Sequence, residues 1–147
     1  MSTSDLGQFI EQYHRALDAF VQGDPEPVQQ LFSRRDDVTL ANPLGPAVRG
    51  WSQVAQATAR AASQVREGEP VVFETVSEYA TEDLAYNLEL EKARVKTVGT
   101  DEFGDIALRV TTIYRREDGE WKIVHRHADP IAAPRPIESV LQERPAS

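Results

Sequence analysis

The stretch of the chain best suited to chemistry lies near its end, where His125, His127 and Asp129 alternate with Arg126 and Ala128. On a strand, alternate side chains share a face, so two imidazoles and a carboxylate line one side together with Trp121 and Ile123. Those apolar companions predict that this side faces inward. Imidazoles that titrate near neutrality suit general acid–base work inside an apolar cavity, with Asp129 tuning them. Two His at i, i+2 can also chelate zinc, but the third, His14, sits on a distant helix edge and no His-Glu-x-x-His run exists, so neither metal nor cofactor is expected. Tyr13 adds a phenol that can donate to a developing oxyanion. Asn42, held by Pro43, can offer its amide to a carbonyl or simply make a turn. Trp51, Tyr86, Thr112, Tyr114, Trp121 and Ile123 are the expected lining of the substrate pocket.

The elements that must position these groups follow from periodicity. Leu6, Phe9, Ile10, Tyr13, Leu17, Phe20 and Val21 recur at helical spacing after a capping Ser4 or Asp5, and Gly23 ends that helix. Asp24-Pro25 opens a short second helix with Val28, Leu31 and Phe32 inward. Val38 to Leu40 reads as a brief strand. A third helix starts at Ser52, with Trp51, Val54, Thr58, Ala61 and Val65 on one stripe, before Gly68 and Pro70. The remainder switches to period two. Val71–Tyr79, Leu84–Val98, Ile106–Arg116 and Trp121–Asp129 form four long strands with short connections, an antiparallel meander. Leu84, Tyr86, Leu88 and Leu90 are assigned to the core, and a bulge at Glu91-Lys92 is then needed to bring Ala93 and Val95 to the same side.

The fold class expected is α+β: three N-terminal helices packed on a strongly curved antiparallel sheet, a cone-shaped, open-ended half-barrel. Residues 1–130 form this single domain and 131–147 a Pro-rich tail, in which Ile137, Val140 and Leu141 can pack on the body or on a partner.

With 147 residues and no Cys, thiol nucleophiles, iron–sulfur clusters and disulfides are excluded, yet the chain can bury about 70% of its unfolded surface. Twenty-four Asp and Glu against 16 Lys and Arg give a net charge of -8, which argues against nucleic acid and anionic membranes as partners. No signal segment or membrane span is apparent, and a cytoplasmic protein is expected. Asn87, Glu89, Glu91, Arg109, Arg115, Lys122 and Arg126 are placed on the outer face of the sheet. Interspersed Thr111, Ile113 and Val124 make that convex face apolar enough for a homodimer contact.

Taken in order, Tyr13-His-Arg-Ala-Leu-Asp-Ala, Asp24-Pro-Glu-Pro-Val-Gln-Gln-Leu-Phe, Asn42-Pro-Leu-Gly, Val48-Arg-Gly-Trp and Gly119-Glu-Trp-Lys-Ile-Val-His-Arg-His resemble the nuclear transport factor 2-like superfamily, with its SnoaL-like polyketide cyclases and ketosteroid isomerases. The resemblance runs from about Leu6 to Asp129. It implies an apolar pocket, usually a dimer, and a ketosteroid-isomerase-like site in which Tyr13 matches the tyrosine donor. The general-base Asp of that site falls on Asn42, which takes no proton at neutral pH, and the second carboxyl donor falls near Thr112. The expected function is a small-molecule pocket protein that moves a proton on an apolar, carbonyl-bearing substrate (isomerisation, cyclisation or hydration), with His125 or His127 as base. The alternative is a non-catalytic ligand-binding or subunit-assembly module, because the His-x-His ending also resembles the association domain of calcium/calmodulin-dependent kinases.

Overall fold

The computed structural model describes residues 5–142. Helix α1 spans Asp5–Phe20, with Asp5 in its first turn complementing the helix dipole and Tyr13, Ala16 and Leu17 buried at its inner face; Ser4, the other expected cap, lies outside the described residues. Gly23, at φ 102°, takes the left-handed turn that ends this segment. Helix α2 (Glu26–Gln29) is short, and Asp24 Oδ1 accepts the Glu26 N–H at 3.1 Å. Strands β1 (Thr39–Ala41) and β2 (Val48–Arg49) flank the Asn42–Pro46 loop, and α3 (Trp51–Ala62) follows Gly50. Beyond α3 come β3 (Val65–Arg66), β4 (Val72–Ala80), β5 (Leu84–Thr97), β6 (Phe103–Glu117) and β7 (Glu120–Asp129). The two-residue strands β2 and β3 were not foreseen, because two residues carry no period; β3 takes the residues expected to end the third helix.

The sheet runs β2-β1-β7-β6-β5-β3, with β4 also on β5. Strands β4 to β7 form the antiparallel meander, whereas β1 lies parallel to β7, Leu40 beside Arg126. A curled half-barrel results, and three helices cover its inner face. Phe32, Val38, Leu40, Val54, Tyr114 and Ile123 are fully or almost fully buried between them. Ser33 N–H donates to Ile123 O at 2.8 Å and Ile123 N–H to Leu31 O at 2.9 Å, which pins the end of α2 to β7. Beside that seam the buried Ser33 hydroxyl donates to Glu117 at 2.8 Å. No helix among the described residues is long and apolar enough to cross a membrane. The tail forms a 3₁₀ turn at Ile137–Val140, with Ile137, Val140 and Leu141 all exposed.

Register corrects two expectations. Strand β5 pairs with β6 without interruption from Leu84 to Lys96, so there is no bulge at Glu91-Lys92. The odd residues Ala85, Asn87, Glu89, Glu91 and Val95 are the buried ones, and Leu84 and Tyr86 point away from the core. A bulge does occur on β7: Ile113 pairs with His125 but Tyr114 with Ile123, leaving Val124 as the extra residue. Parity therefore reverses after Ile123. Trp121, Ile123, Arg126 and Ala128 face the helices, while His125 and His127 face outward.

Candidate functional site

The inner face carries a buried polar layer that no single strand reveals. Arg126 on β7 forms a two-pronged ion pair with Glu91 on β5, both N···O distances 2.9 Å, and its Nη1 also donates to the Tyr13 phenol oxygen at 2.5 Å. Tyr114 donates to Asn87 Oδ1 at 3.2 Å. His14 Nε2 lies 3.0 and 3.1 Å from the two oxygens of Glu89, with its ring stacked on Phe73 at 3.7 Å and the Thr75 hydroxyl donating to the same carboxylate. Each acid placed outside by sequence reasoning is thus inside, and each has a partner supplied by another element. The Thr112 hydroxyl lies close to both phenols without completing a full hydrogen bond.

The electrostatics follow from burial. Loss of water pushes the Tyr13 phenol up to about 12, against the pull of Arg126, and burial also drives Tyr114 well above its ordinary value. Both are neutral phenols throughout the physiological range, Tyr13 accepting from Arg126 and Tyr114 donating to Asn87. Burial alone disfavours the Arg126 charge, but the Glu91 carboxylate and Tyr13 more than offset it, so the guanidinium stays charged. In a near-ultraviolet alkaline titration, the phenolate signal of Tyr13 is expected around pH 12, and that of Tyr114 well above the ordinary tyrosine range. Tyr13→Phe should remove one of these late-titrating groups.

Arg126 also lines an apolar cavity of about 160 Å³ bounded by Leu17, Phe20, Leu40, Leu108 and Ala128. It is the one charged group among the described lining residues. Its three bonds leave Nε–H and one Nη2 hydrogen for another acceptor. Asn42 lines the same cavity. Its Oδ1 accepts the Leu44 N–H at 2.9 Å, fixing the loop and leaving the amide N–H groups as its free polarity. A wider groove of about 430 Å³ between α1 and the start of β7 is bordered by Gln8, Gln12, Arg116 and Lys122, and lacks such apolar walls.

The expected site residues are therefore split. Tyr13, Thr112 and Tyr114 meet in the buried layer behind the cavity, and Trp121 and Ile123 belong to the core. Trp51 packs against that core with the Arg34 guanidinium 3.5 Å above its ring, rather than lining the cavity. Tyr86 is on the outer face, stacked near Tyr79. His125 Nδ1 lies 2.8 Å from the Thr39 hydroxyl, and His127 Nε2 lies 3.7 Å from Asp129, whose other oxygen accepts Arg109 Nε at 2.7 Å. Neither imidazole reaches the cavity, because the Val124 bulge turns both outward. Sequence reasoning missed Arg126 and Glu91. The adjacent apolar pair Ile123-Val124 was the one local sign of the parity change.

The half-barrel with three helices is the nuclear transport factor 2-like fold. It superposes with a TM-score of 0.71 on a nuclear transport factor 2-like superfamily protein from Salmonella enterica serovar Typhimurium, 18% identical over 88% of this chain and 90% of that one. A ketosteroid isomerase-like protein from Erwinia carotovora atroseptica gives a TM-score of 0.71 at 18% identity, covering 86% and 93%. A Streptomyces avermitilis protein of the same fold, provisionally called a dehydratase, gives 0.68 at 21% identity, covering 88% and 95%. These likenesses speak for the fold alone. Within it, residues 8–133 match the SnoaL-like domain, and the chain belongs to that family. No curated protein matches the sequence.

Proposed function

We propose that this protein binds a small, ring-sized organic molecule bearing one carboxylate or carbonyl oxygen, its apolar body in the cavity and its oxygen on Arg126. The observation that carries this reading is a single charged donor at the wall of an otherwise apolar cavity. A cavity of about 150 Å³ is enough for a benzene ring, and 160 Å³ leaves little more; a fused multi-ring skeleton does not fit without widening. Asn42 is positioned to add a second donor near the loop. Binding rather than proton transfer is favoured because the two imidazoles lie on the far side of the sheet and Asn42 is no base at neutral pH. Fold-level likeness to an isomerase-like protein adds no chemistry of its own.

Calorimetry and amide NMR with benzoate and toluene test this reading. Benzoate should bind with a dissociation constant on the order of 10–1000 µM, tighter than toluene, and perturb amides around Leu40, Ala61 and Ala128. Ala61→Phe, which fills the cavity, should remove binding by at least about tenfold while circular dichroism is preserved. Equal benzoate affinity in Ala61→Phe, or perturbations confined to the outer face, would reject the proposal.

A further inference from the structure

On a chain with 24 Asp and Glu, the segment from Val38 to Arg66 contains neither, and it carries Arg49, Arg60 and Arg66. This acid-free segment is β1, β2, α3 and β3, and it supplies one wall of the apolar cavity through Leu40, Asn42, Leu44, Thr58, Ala61 and Val65. No carboxylate is found among the described lining residues. An acidic molecule thus has one opening from which its own acids are kept away.

Depth in the cavity follows from strand register. Arg126 stands beside Leu40, and β1 runs on through Ala41 into the Asn42–Pro46 loop. Leu44 lines the cavity yet is 58% exposed, which makes this loop the rim. Arg126 therefore lies at the inner end, and at ~3.3 Å per residue the rim stands on the order of 10 Å farther out.

Arg60 stands at that rim. It is exposed, precedes the cavity-lining Ala61 on α3, and lays its guanidinium against the loop: a Cβ on Gly45 would be only 2.9 Å from its Nη2. Among the described residues no carboxylate pairs with it. Its neighbours in the segment are committed, Arg66 to Glu67 and Asp101, and Arg49 to the Asp36 carbonyl. Arg126 is committed as well, since Glu91 balances its charge. The inner arginine is thus a hydrogen-bond donor with little net charge to offer, and the outer one is an uncompensated cation. Beyond Arg60, Ser52, Gln53 and Gln56 border an open groove between β2 and α3, where a group leaving the cavity meets neutral hydrogen-bonding side chains.

We infer that the ligand of the cavity carries a second anionic group, at the end away from the oxygen on Arg126, and that Arg60 receives it at the rim. This rests on the binding function proposed for the cavity and narrows the ligand class to a monocyclic acid with an anion at each end, of which an aromatic dicarboxylate is the simplest member. The ring occupies the stretch walled by Leu17, Phe20 and Leu108, between the two arginines. A monoanion leaves Arg60 bare. A protein of net charge -8 repels dianions in general, so a preference for one requires a local cation. Because exposed ion pairs are weak and screened by salt, that preference is a few-fold rather than orders of magnitude.

Calorimetry at low ionic strength and about pH 7, with benzoate, terephthalate and 3-(4-carboxyphenyl)propanoate, tests the inference; the last probe lengthens the span between the two carboxylates. At least one diacid should bind about threefold to fivefold tighter than benzoate, and the advantage should shrink in about 0.5 M NaCl. Arg60→Gln should abolish the advantage and Arg60→Lys should keep most of it. Arg15→Gln, which removes an exposed charge from α1 with the same change in net charge, should leave it intact. Diacids no tighter than benzoate in the parent, or an advantage that survives Arg60→Gln or falls equally in Arg15→Gln, overturn the rim subsite while benzoate binding still upholds the cavity. Failure of all three acids to bind overturns both.

Discussion

Arg126→Met is expected to cost about 3–5 kcal/mol of folding stability, the range for breaking a buried ion pair from one side. The Arg126 and Glu91 side chains are 11% and 6% exposed, so the carboxylate left behind has no water to turn to, and the Tyr13 phenol loses its donor as well. Domains of this kind have about 5–15 kcal/mol in total, so the single variant should be largely unfolded under mild denaturant. Arg126→Met/Glu91→Met removes both charges and their shared desolvation cost. That double variant should recover to within about 1–2 kcal/mol of the parent, since well-packed apolar replacements of buried pairs are close to neutral. Urea titrations of the parent, both single variants and the double variant measure the coupling. The folded double variant also separates structure from function, because it should bind toluene and benzoate about equally. If Arg126→Met alone folds as stably as the parent, the pair is not the closed unit its geometry describes.

Gly68→Ala is expected to destabilise the fold by about 2–3 kcal/mol, at the upper part of the range for overpacking. A Cβ at this position would stand 2.5 Å from Val21 Cβ and 2.6 Å from the Val21 carbonyl oxygen. Backbone rather than a pliable side chain must therefore move. The contact is held by a hydrogen bond, Gly68 N–H to Val21 O at 3.0 Å, where the segment after β3 crosses the end of α1. Gly104 is the natural control, since a Cβ there meets nothing within 4 Å. Thermal unfolding of Gly68→Ala and Gly104→Ala should therefore differ clearly, and equal midpoints would remove the close approach as an explanation.

Gly68 also shows what kind of information a sequence holds. As a punctuation mark after the third helix it was legible; as the point where two distant segments touch it was not. The long strands and the first helix were visible because their periods repeat over many residues. Which face of β5 turned inward was not, because both faces have reasons to be apolar. Leu84, Tyr86, Leu88 and Leu90 read as core by alternation, while Asn87, Glu89 and Glu91 are buried only because Tyr114, His14 and Arg126 arrive from other elements to satisfy them. Periodicity is a local quantity and cannot register partners more than 25 residues away. For Tyr13 the reading survived better, since a helix with one apolar stripe has a single way to lie. His125 and His127 were placed by a parity count that the Val124 bulge breaks, and one extra residue sufficed to misplace both.

That extra residue makes the chemistry of the sheet a matter of counting. Pairing the strand without the bulge while keeping Val124 would carry strict alternation from Trp121 to Asp129 and turn His125, His127 and Asp129 inward and Arg126 outward, whereas deleting Val124 would leave both faces as they are. The same ten-residue strand thus encodes two different sites in two reading frames of its pleat. In a scaffold whose wall has one charged donor and no base, the extra residue at Val124 is what keeps the guanidinium in the cavity and the imidazoles out of it.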